Sequence, residues 1–313
     1  MMDIQYQGRH PLLRIIRPPF FTPPIEKLGN FIINAYQSGR HGCRVISFTR
    51  YGKTYAITYL KDNAGWRTDP AVFLDMRILA PEKCTERSFF TTMSLALHLR
   101  ELHQSSSAHA VMRVAHHLNI LAEEEGAELI IFALDESQRL NGDDWQHVVT
   151  LDNEVSALGK RLFLIFIHQL DTKGKEAESI HDDVPPQVLE RFTKPCFDFP
   201  GIIGALEVKT CFEEYDAGAT WPLGSGTTYS AYFAPDAFAR GWRLSQHAQQ
   251  VYDIATELRA ESGLYTEGWQ WPMVSLEALM RYLLVSVPSR TPGFDGFTDE
   301  DIRKALIAAF FVD

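Results

Sequence analysis

Cysteine is scarce and unpatterned in this chain. Four occur in 313 residues, Cys43, Cys84, Cys196 and Cys211. No two stand at C-x-x-C spacing, which excludes a disulfide scaffold and the common zinc ribbons. There is no H-E-x-x-H, and the adjacent His116 and His117 point to different faces of a helix rather than to one metal. Long apolar runs are missing too. The longest aliphatic or aromatic run, residues 162–167, falls far short of the ~18 residues a membrane span needs. No apolar segment with a small-residue cleavage site opens the chain. These absences set the expectation of a reduced, cytoplasmic protein with no membrane segment.

Basic charge is in the minority, with 30 Lys and Arg against 40 Asp and Glu and a net charge of −10. That total argues against a surface coated in positive charge for gripping nucleic acid. The distribution is uneven, however. Residues 1–54 carry eight basic and two acidic residues, 55–100 carry six and five, and 101–313 carry 16 and 33. With 45% hydrophobic and 22% charged residues, the chain has the composition of a globular protein with enough apolar mass for a core.

Three segments follow from composition. Residues 1–25 form a basic arm in which Pro18, Pro19, Pro23 and Pro24 favour an extended backbone. Residues 26–212 alternate strands and helices. Strands are expected at 45–48, 71–79, 129–134 and 161–167, with a fifth at 202–208. Helices are expected at 25–37, 54–60, 86–102, 111–125, 144–158 and 186–191. Repeated β-α units specify a parallel sheet covered on both faces. Residues 213–313 form a loop and a helical domain, with helices at 235–240, 244–262 and 275–285. A last helix there is capped by Thr298, with Asp299, Glu300 and Asp301 in its first turn.

Two short runs carry chemistry. Ser47-Phe48-Thr49-Arg50-Tyr51-Gly52-Lys53-Thr54 lies between a strand and a helix. There, backbone N–H groups can cradle phosphate oxygens, a lysine can reach the β- and γ-phosphates, and a threonine hydroxyl can ligate Mg2+. Ser47 stands where G-x-x-x-x-G-K-[ST] has its first glycine. The second run, Leu129-Ile130-Ile131-Phe132-Ala133-Leu134-Asp135-Glu136, is an apolar strand ending in two carboxylates. Asp135 is placed to hold the metal's water shell and Glu136 to polarise the attacking water. Lys53 and Asp135 are 82 residues apart, and the gap holds one extra β-α unit, as in additional-strand ATPases. Gln169, with His168 second, sits at the tip of the next strand, where it can touch the γ-phosphate or the water. Arg191 can reach the nucleotide of a neighbouring subunit. GTP is disfavoured, because Thr172-Lys173-Gly174-Lys175 has lysine where guanine recognition needs aspartate.

Asp135-Glu136-Ser137-Gln138-Arg139-Leu140 looks like the D-E-[AS]-Q-x-L form of the second motif. With it come Trp145, Leu151-Asp152-Asn153-Glu154, and a strand ending in His168-Gln169-Leu170. Arg50-Tyr51-Gly52-Lys53-Thr54 looks like the R-x-G-K-T form of the loop. This succession, over roughly residues 30–210, resembles the AAA+ ATPases of DNA transposition, the TnsC/TniB type. Ser47, His168 and Asp171 depart from the family's pattern. The resemblance implies an α/β P-loop NTPase of the AAA+ type, a parallel sheet flanked by helices with a C-terminal helical lid domain. It further implies a homo-oligomer, ring or filament, that binds ATP and Mg2+, assembles on double-stranded DNA, and links a target-selector protein to the transposase. Under it, Ser47, Arg50, Tyr51, Gly52, Lys53 and Thr54 bind nucleotide. Thr54 and Asp135 hold metal, and Glu136, Gln169 and Arg191 serve a slow, partner-stimulated hydrolysis.

Two other classes compete. One is a nucleotide-gated signalling or scaffold ATPase that does not bind DNA. The other is a small-molecule kinase, against which the Asp-Glu-Ser-Gln run and the helical tail speak.

Overall fold

The computed structural model describes residues 8–78, 85–99, 107–170 and 184–312. Cys84, Asp171, the Thr172-Lys173-Gly174-Lys175 run and the expected element ends at Leu79 and Leu102 lie outside the described residues, as do the first seven residues of the arm. The chain divides into two compact units. An α/β unit comprises residues 27–49 and 53–199, and a helical unit comprises the N-terminal stretch to residue 26, residues 50–52 and everything from 200 onward. Among the described residues, no helix is long and apolar enough to cross a membrane.

The α/β unit is a five-stranded, all-parallel sheet in the order β2-β3-β4-β1-β5. The strands are β1 (Gly42–Ser47), β2 (Ala71–Arg77), β3 (Leu129–Asp135), β4 (Arg161–Gln169) and β5 (Cys196–Asp198). β3 is buried from Leu129 to Leu134 and β4 from Leu162 to His168. Near-continuous burial is what a parallel strand with both faces covered requires, and it explains why their apolar runs show no alternation. The helices are α1 (Pro23–Gln37), α2 (Lys53–Asp62), α3 (Glu86–Ala96), α4 (Ser107–Glu124), α5 (Gly142–Ala157) and α6 (Pro186–Phe192). Phe90, Val114, Leu118, Trp145, Leu151 and Phe192 pack with Ile130, Phe132, Leu164 and Phe166 into one core. The five-stranded parallel sheet flanked by helices, with a helical C-terminal region, agrees with the α/β fold class expected from the sequence.

Local chemistry sets several boundaries. Pro23 and Pro24 open α1 instead of prolonging the arm, because N–H groups of a first helical turn have no intrahelical partner to lose. Asn141 starts α5: its side chain accepts from the Asp143 and Asp144 N–H groups, and Asp144 accepts from the Asn141 N–H. α3 stops at Ala96, short of the expected 102, and His98 takes a left-handed φ of 56°.

The fifth strand corrects the sequence expectation. Residues 202–208 are not a strand. Ile202 makes one bridge with Trp271, and α7 (Gly204–Glu213) follows. Gly204 turns the chain with φ 73°, and the buried Val208, Cys211 and Phe212 recur at helical spacing. The true fifth strand is three residues long with both ends exposed, so it carries no apolar signature.

The helical unit contains α7, α8 (Tyr229–Phe233), α9 (Pro235–Ala239), α10 (Ala248–Glu261), α11 (Met273–Ser286) and α12 (Asp299–Ala308). The expected helix at 244–262 is divided into a 3-10 turn, Leu244–His247, and α10. Buried Asp216 holds the start of that turn by accepting from the Leu244 and Ser245 N–H groups. Thr298 caps α12 in a reciprocal pair with Asp301. The N-terminal arm is built into this unit rather than free. His10 is buried, with its ring 4.5–4.6 Å from those of Tyr229, Tyr232 and Phe233. Arg17 pairs with Glu277, and Arg281 donates to the Leu12 carbonyl at 2.9 Å.

Candidate functional site

Strand register assembles the site. β1 and β4 place Ser47 beside Gln169, and β2 and β3 place Arg77 beside Asp135. The carboxyl ends of four strands therefore meet at one edge of the sheet, where ligands of open α/β folds bind. A cleft of about 290 Å³ opens there, lined by Thr54, Asp75, Arg77, Asp135, Glu136 and Ile167 among others.

The loop from Ser47 to Thr54 follows β1 and opens α2. Lys53 Nζ donates to the Ser47 and Phe48 carbonyls at 2.9 and 2.8 Å, so its ammonium closes the loop on itself. Burial lowers the Lys53 pKa, while Asp135 and Glu136 oppose that shift. An ammonium held by carbonyl oxygens can exchange them for phosphate oxygens without being drawn out of water a second time. Ser47 is 3% exposed, and its hydroxyl has no hydrogen-bond partner among the described residues.

The loop's tip is strained. Arg50 has φ 67° and Gly52 φ 100°. Gly52 is required twice over, because a Cβ would also stand 3.1 Å from Met273 Cβ. Arg50 has no such licence, and an L-residue in this region costs roughly 1–2 kcal/mol. Residues 50–52 belong to the helical unit, whereas both flanks of the loop belong to the α/β unit. Within the helical unit, the Arg50 carbonyl accepts a long hydrogen bond from the Val274 N–H at 3.4 Å. The Tyr51 pKa is raised by burial and opposed by the Arg259 cation.

Thr54 Oγ1 donates to Asp135 Oδ2 at 2.8 Å, and the other carboxylate oxygen, Oδ1, accepts from the Glu136 N–H at 2.9 Å. A hydroxyl and a carboxylate side by side are hard oxygen donors suited to Mg2+. No cluster of three or more His, Cys, Asp or Glu that could cage a metal occurs among the described residues. Thr54 and Asp135 together offer two oxygen ligands to such an ion.

Glu136 is engaged by other side chains. Its backbone is left-handed, φ 59°, and its carboxylate faces three donors. Gln138 Nε2 lies at 2.7 Å, an Arg77 guanidinium nitrogen at 3.3 Å and one of Arg139 at 3.5 Å. None of these three was expected at the site. Gln138 and Arg139 stand in the quoted motif, but only the turn at Glu136 aims them back at it. Arg77 arrives through β2–β3 register. Gln169 Nε2 lies 3.4 Å from Thr49 Oγ1, which brings the strand tip to the phosphate loop, while His168 is wholly buried in the sheet.

Arg191 lies elsewhere. It ends α6 and bonds to Asp152 and, at 3.2 Å, to Asn153 Oδ1. Asp152 also meets His41, the residue preceding β1, at 2.8 Å. The phosphate loop leaves the far end of β1, about 16 Å away at ~3.3 Å per residue. Arg191 is therefore placed away from its own loop.

No family model and no curated protein matches the sequence. Among solved structures the chain is similar to Cdc6p from Pyrobaculum aerophilum, at 14% identity over 95% of this chain and 83% of that one, with a TM-score of 0.44. It is similar to the ORC2 protein of Aeropyrum pernix at 13% identity, covering 96% and 71%, with a TM-score of 0.45. Domain III of the Thermotoga maritima replication initiation protein DnaA matches at 11% identity, covering 94% and 95%, with a TM-score of 0.43. Likeness of this degree gives no residue of this chain a role.

The strain at Arg50 is testable. Arg50→Gly relieves the left-handed penalty and adds unfolded-state entropy, so the net expectation is a gain of about 0.5 kcal/mol in urea unfolding. A loss of about 1 kcal/mol instead would mean that the Arg50 side chain holds the loop.

Proposed function

We propose that this chain is an ATPase that assembles on duplex DNA in its ATP state and regulates DNA transposition, linking target selection to the transposase. The observation that carries the ATPase reading is the hydrogen bond between Thr54 and Asp135, with the half-buried Lys53 beside Thr54 at the start of α2. The DNA and transposition reading is supported by the D-E-S-Q-R-L run, the R-x-G-K-T loop and the basic excess over residues 1–54.

In this reading Lys53 and the loop's N–H groups bind the β- and γ-phosphates. Thr54 and Asp135 hold Mg2+, which supplies charge neutralisation across the phosphates. Glu136 takes a proton from the attacking water as its oxygen bonds to the γ-phosphorus and the bond to ADP breaks. Gln169 orients the γ-phosphate, and Arg191 of an adjacent copy neutralises the charge that develops there. The resting Glu136 carboxylate is held by Gln138 and flanked by two guanidinium groups, so it must leave those partners to reach the attacking water. Slow unstimulated hydrolysis follows from that arrangement.

Lys53→Ala is expected to abolish ATP-dependent retention of duplex DNA on a filter; retention equal to the parent's would overturn the assembly reading. Glu136→Gln is expected to keep nucleotide binding and lower turnover by roughly 100-fold or more, leaving assemblies on DNA that do not release. Parental turnover in that variant would exclude Glu136 as the base. Arg77→Ala is expected to raise DNA-independent turnover several-fold, because one partner holding the Glu136 carboxylate is removed; a fall would make Arg77 part of the catalytic machinery. Electron microscopy with a non-hydrolysable ATP analogue separates the two functional classes. Assemblies that form only with DNA support the transposition reading. Nucleotide-dependent assemblies indifferent to DNA support the scaffold ATPase.

A further inference from the structure

A buried charge cluster lies at the end of the sheet opposite the phosphate loop. Asp152, on α5, is wholly buried. Its Oδ2 receives an N–H from Arg191 and stands 2.8 Å from His41 Nδ1, while Oδ1 has no hydrogen-bond partner among the described residues. A carboxylate taken out of water is costly unless its partners are well placed. Burial raises the Asp152 pKa, and the His41 and Arg191 charges oppose that shift.

The arrangement restrains the arginine closely. One terminal nitrogen of the guanidinium gives its two hydrogens to Asp152 and to Asn153 Oδ1. The Phe192 ring lies 5.2 Å below the guanidinium carbon. With that edge tied down, the side chain is still 31% exposed. A planar fork held at one edge presents the other in a set direction, which is what a group acting on a neighbour's phosphate needs before that neighbour arrives.

We propose that Asp152 is a positioning residue: it fixes the Arg191 guanidinium, with help from Asn153, in the orientation that meets the nucleotide of an adjacent copy. The proposal rests on the reading of Arg191 as acting in trans.

The test is steady-state ATP turnover of the full chain with duplex DNA, together with the affinity for a fluorescent ATP analogue. The variants are Arg191→Ala, Asp152→Asn, Asn153→Ala and the double variant Asp152→Asn with Arg191→Ala. Asp152→Asn is expected to lower kcat by roughly 10–100-fold, with KM for ATP and analogue affinity within about twofold of the parent. In the Arg191→Ala background the same substitution is expected to cost less than about twofold, because the group it positions is gone. An equal loss in both backgrounds would mean that Asp152 serves the fold and not Arg191, overturning the proposal. So would full turnover in Asp152→Asn when Arg191→Ala is inactive. Full turnover in Arg191→Ala overturns the trans reading itself and the positioning role with it. If Asp152→Asn loses its cooperative melting, Asn153→Ala decides, since Asn153 is exposed on α5. A several-fold fall in kcat at unchanged analogue affinity supports the proposal, and full activity overturns it.

Discussion

Parallel pairing of β1 with β4, β4 with β3, and β3 with β2 holds Ser47, Gln169, Asp135 and Arg77 at one edge of the sheet. These residues come from segments far apart in the chain, and none reaches another through local structure. The register rests on apolar burial. β3 and β4 are covered on both faces, and Trp145 packs on Phe166 with ring centroids 4.7 Å apart. A slip of one residue in β3 would carry Asp135 into the core or draw it away from Thr54, at the cost of a buried, unpaired carboxylate. The Thr54–Asp135 hydrogen bond and the placement of Glu136 depend on that register.

Two of the candidate site residues depart from relaxed backbone. Arg50 and Glu136 both have positive φ without being glycine. One lies in the loop between β1 and α2, and the other directly follows β3. Strain of this kind persists only where surrounding contacts over-determine the backbone. At Glu136 those contacts are visible: the Glu136 N–H on Asp135, Gln138 on its carboxylate, and Arg77 and Arg139 alongside. The Thr54–Asp135 pair is already formed while Glu136 is engaged by other partners.

Much of this was legible in the residues. The strands at 129–134 and 161–167 announced themselves as unbroken apolar runs, and the Asp135-Glu136 pair named the end of the first. The Gly52-Lys53-Thr54 tripeptide marked the loop, and Thr298 with three acids marked the start of α12. The fifth strand was not legible, because Cys196–Asp198 is too short and too exposed to carry an apolar signature. Its expected place was taken by a helix whose apolar residues were read with the wrong period. Integration of the N-terminal arm into the helical unit was equally invisible. It depends on His10 meeting Tyr229, Tyr232 and Phe233, more than 200 residues away.

By itself the sequence determined the chemistry that each segment can offer: a lysine and threonine after a strand, two carboxylates at the end of another, a glutamine at the tip of a third. Those are properties of residue type and short-range spacing, which any local stretch of chain retains. Tertiary structure alone decided which of these groups meet. It set β4 between β1 and β3, turned Gln138 and the two arginines onto Glu136, and gave Arg191 a buried carboxylate at the far end of the sheet. Pairings of that kind depend on how distant apolar surfaces pack, and no short window of sequence contains both partners.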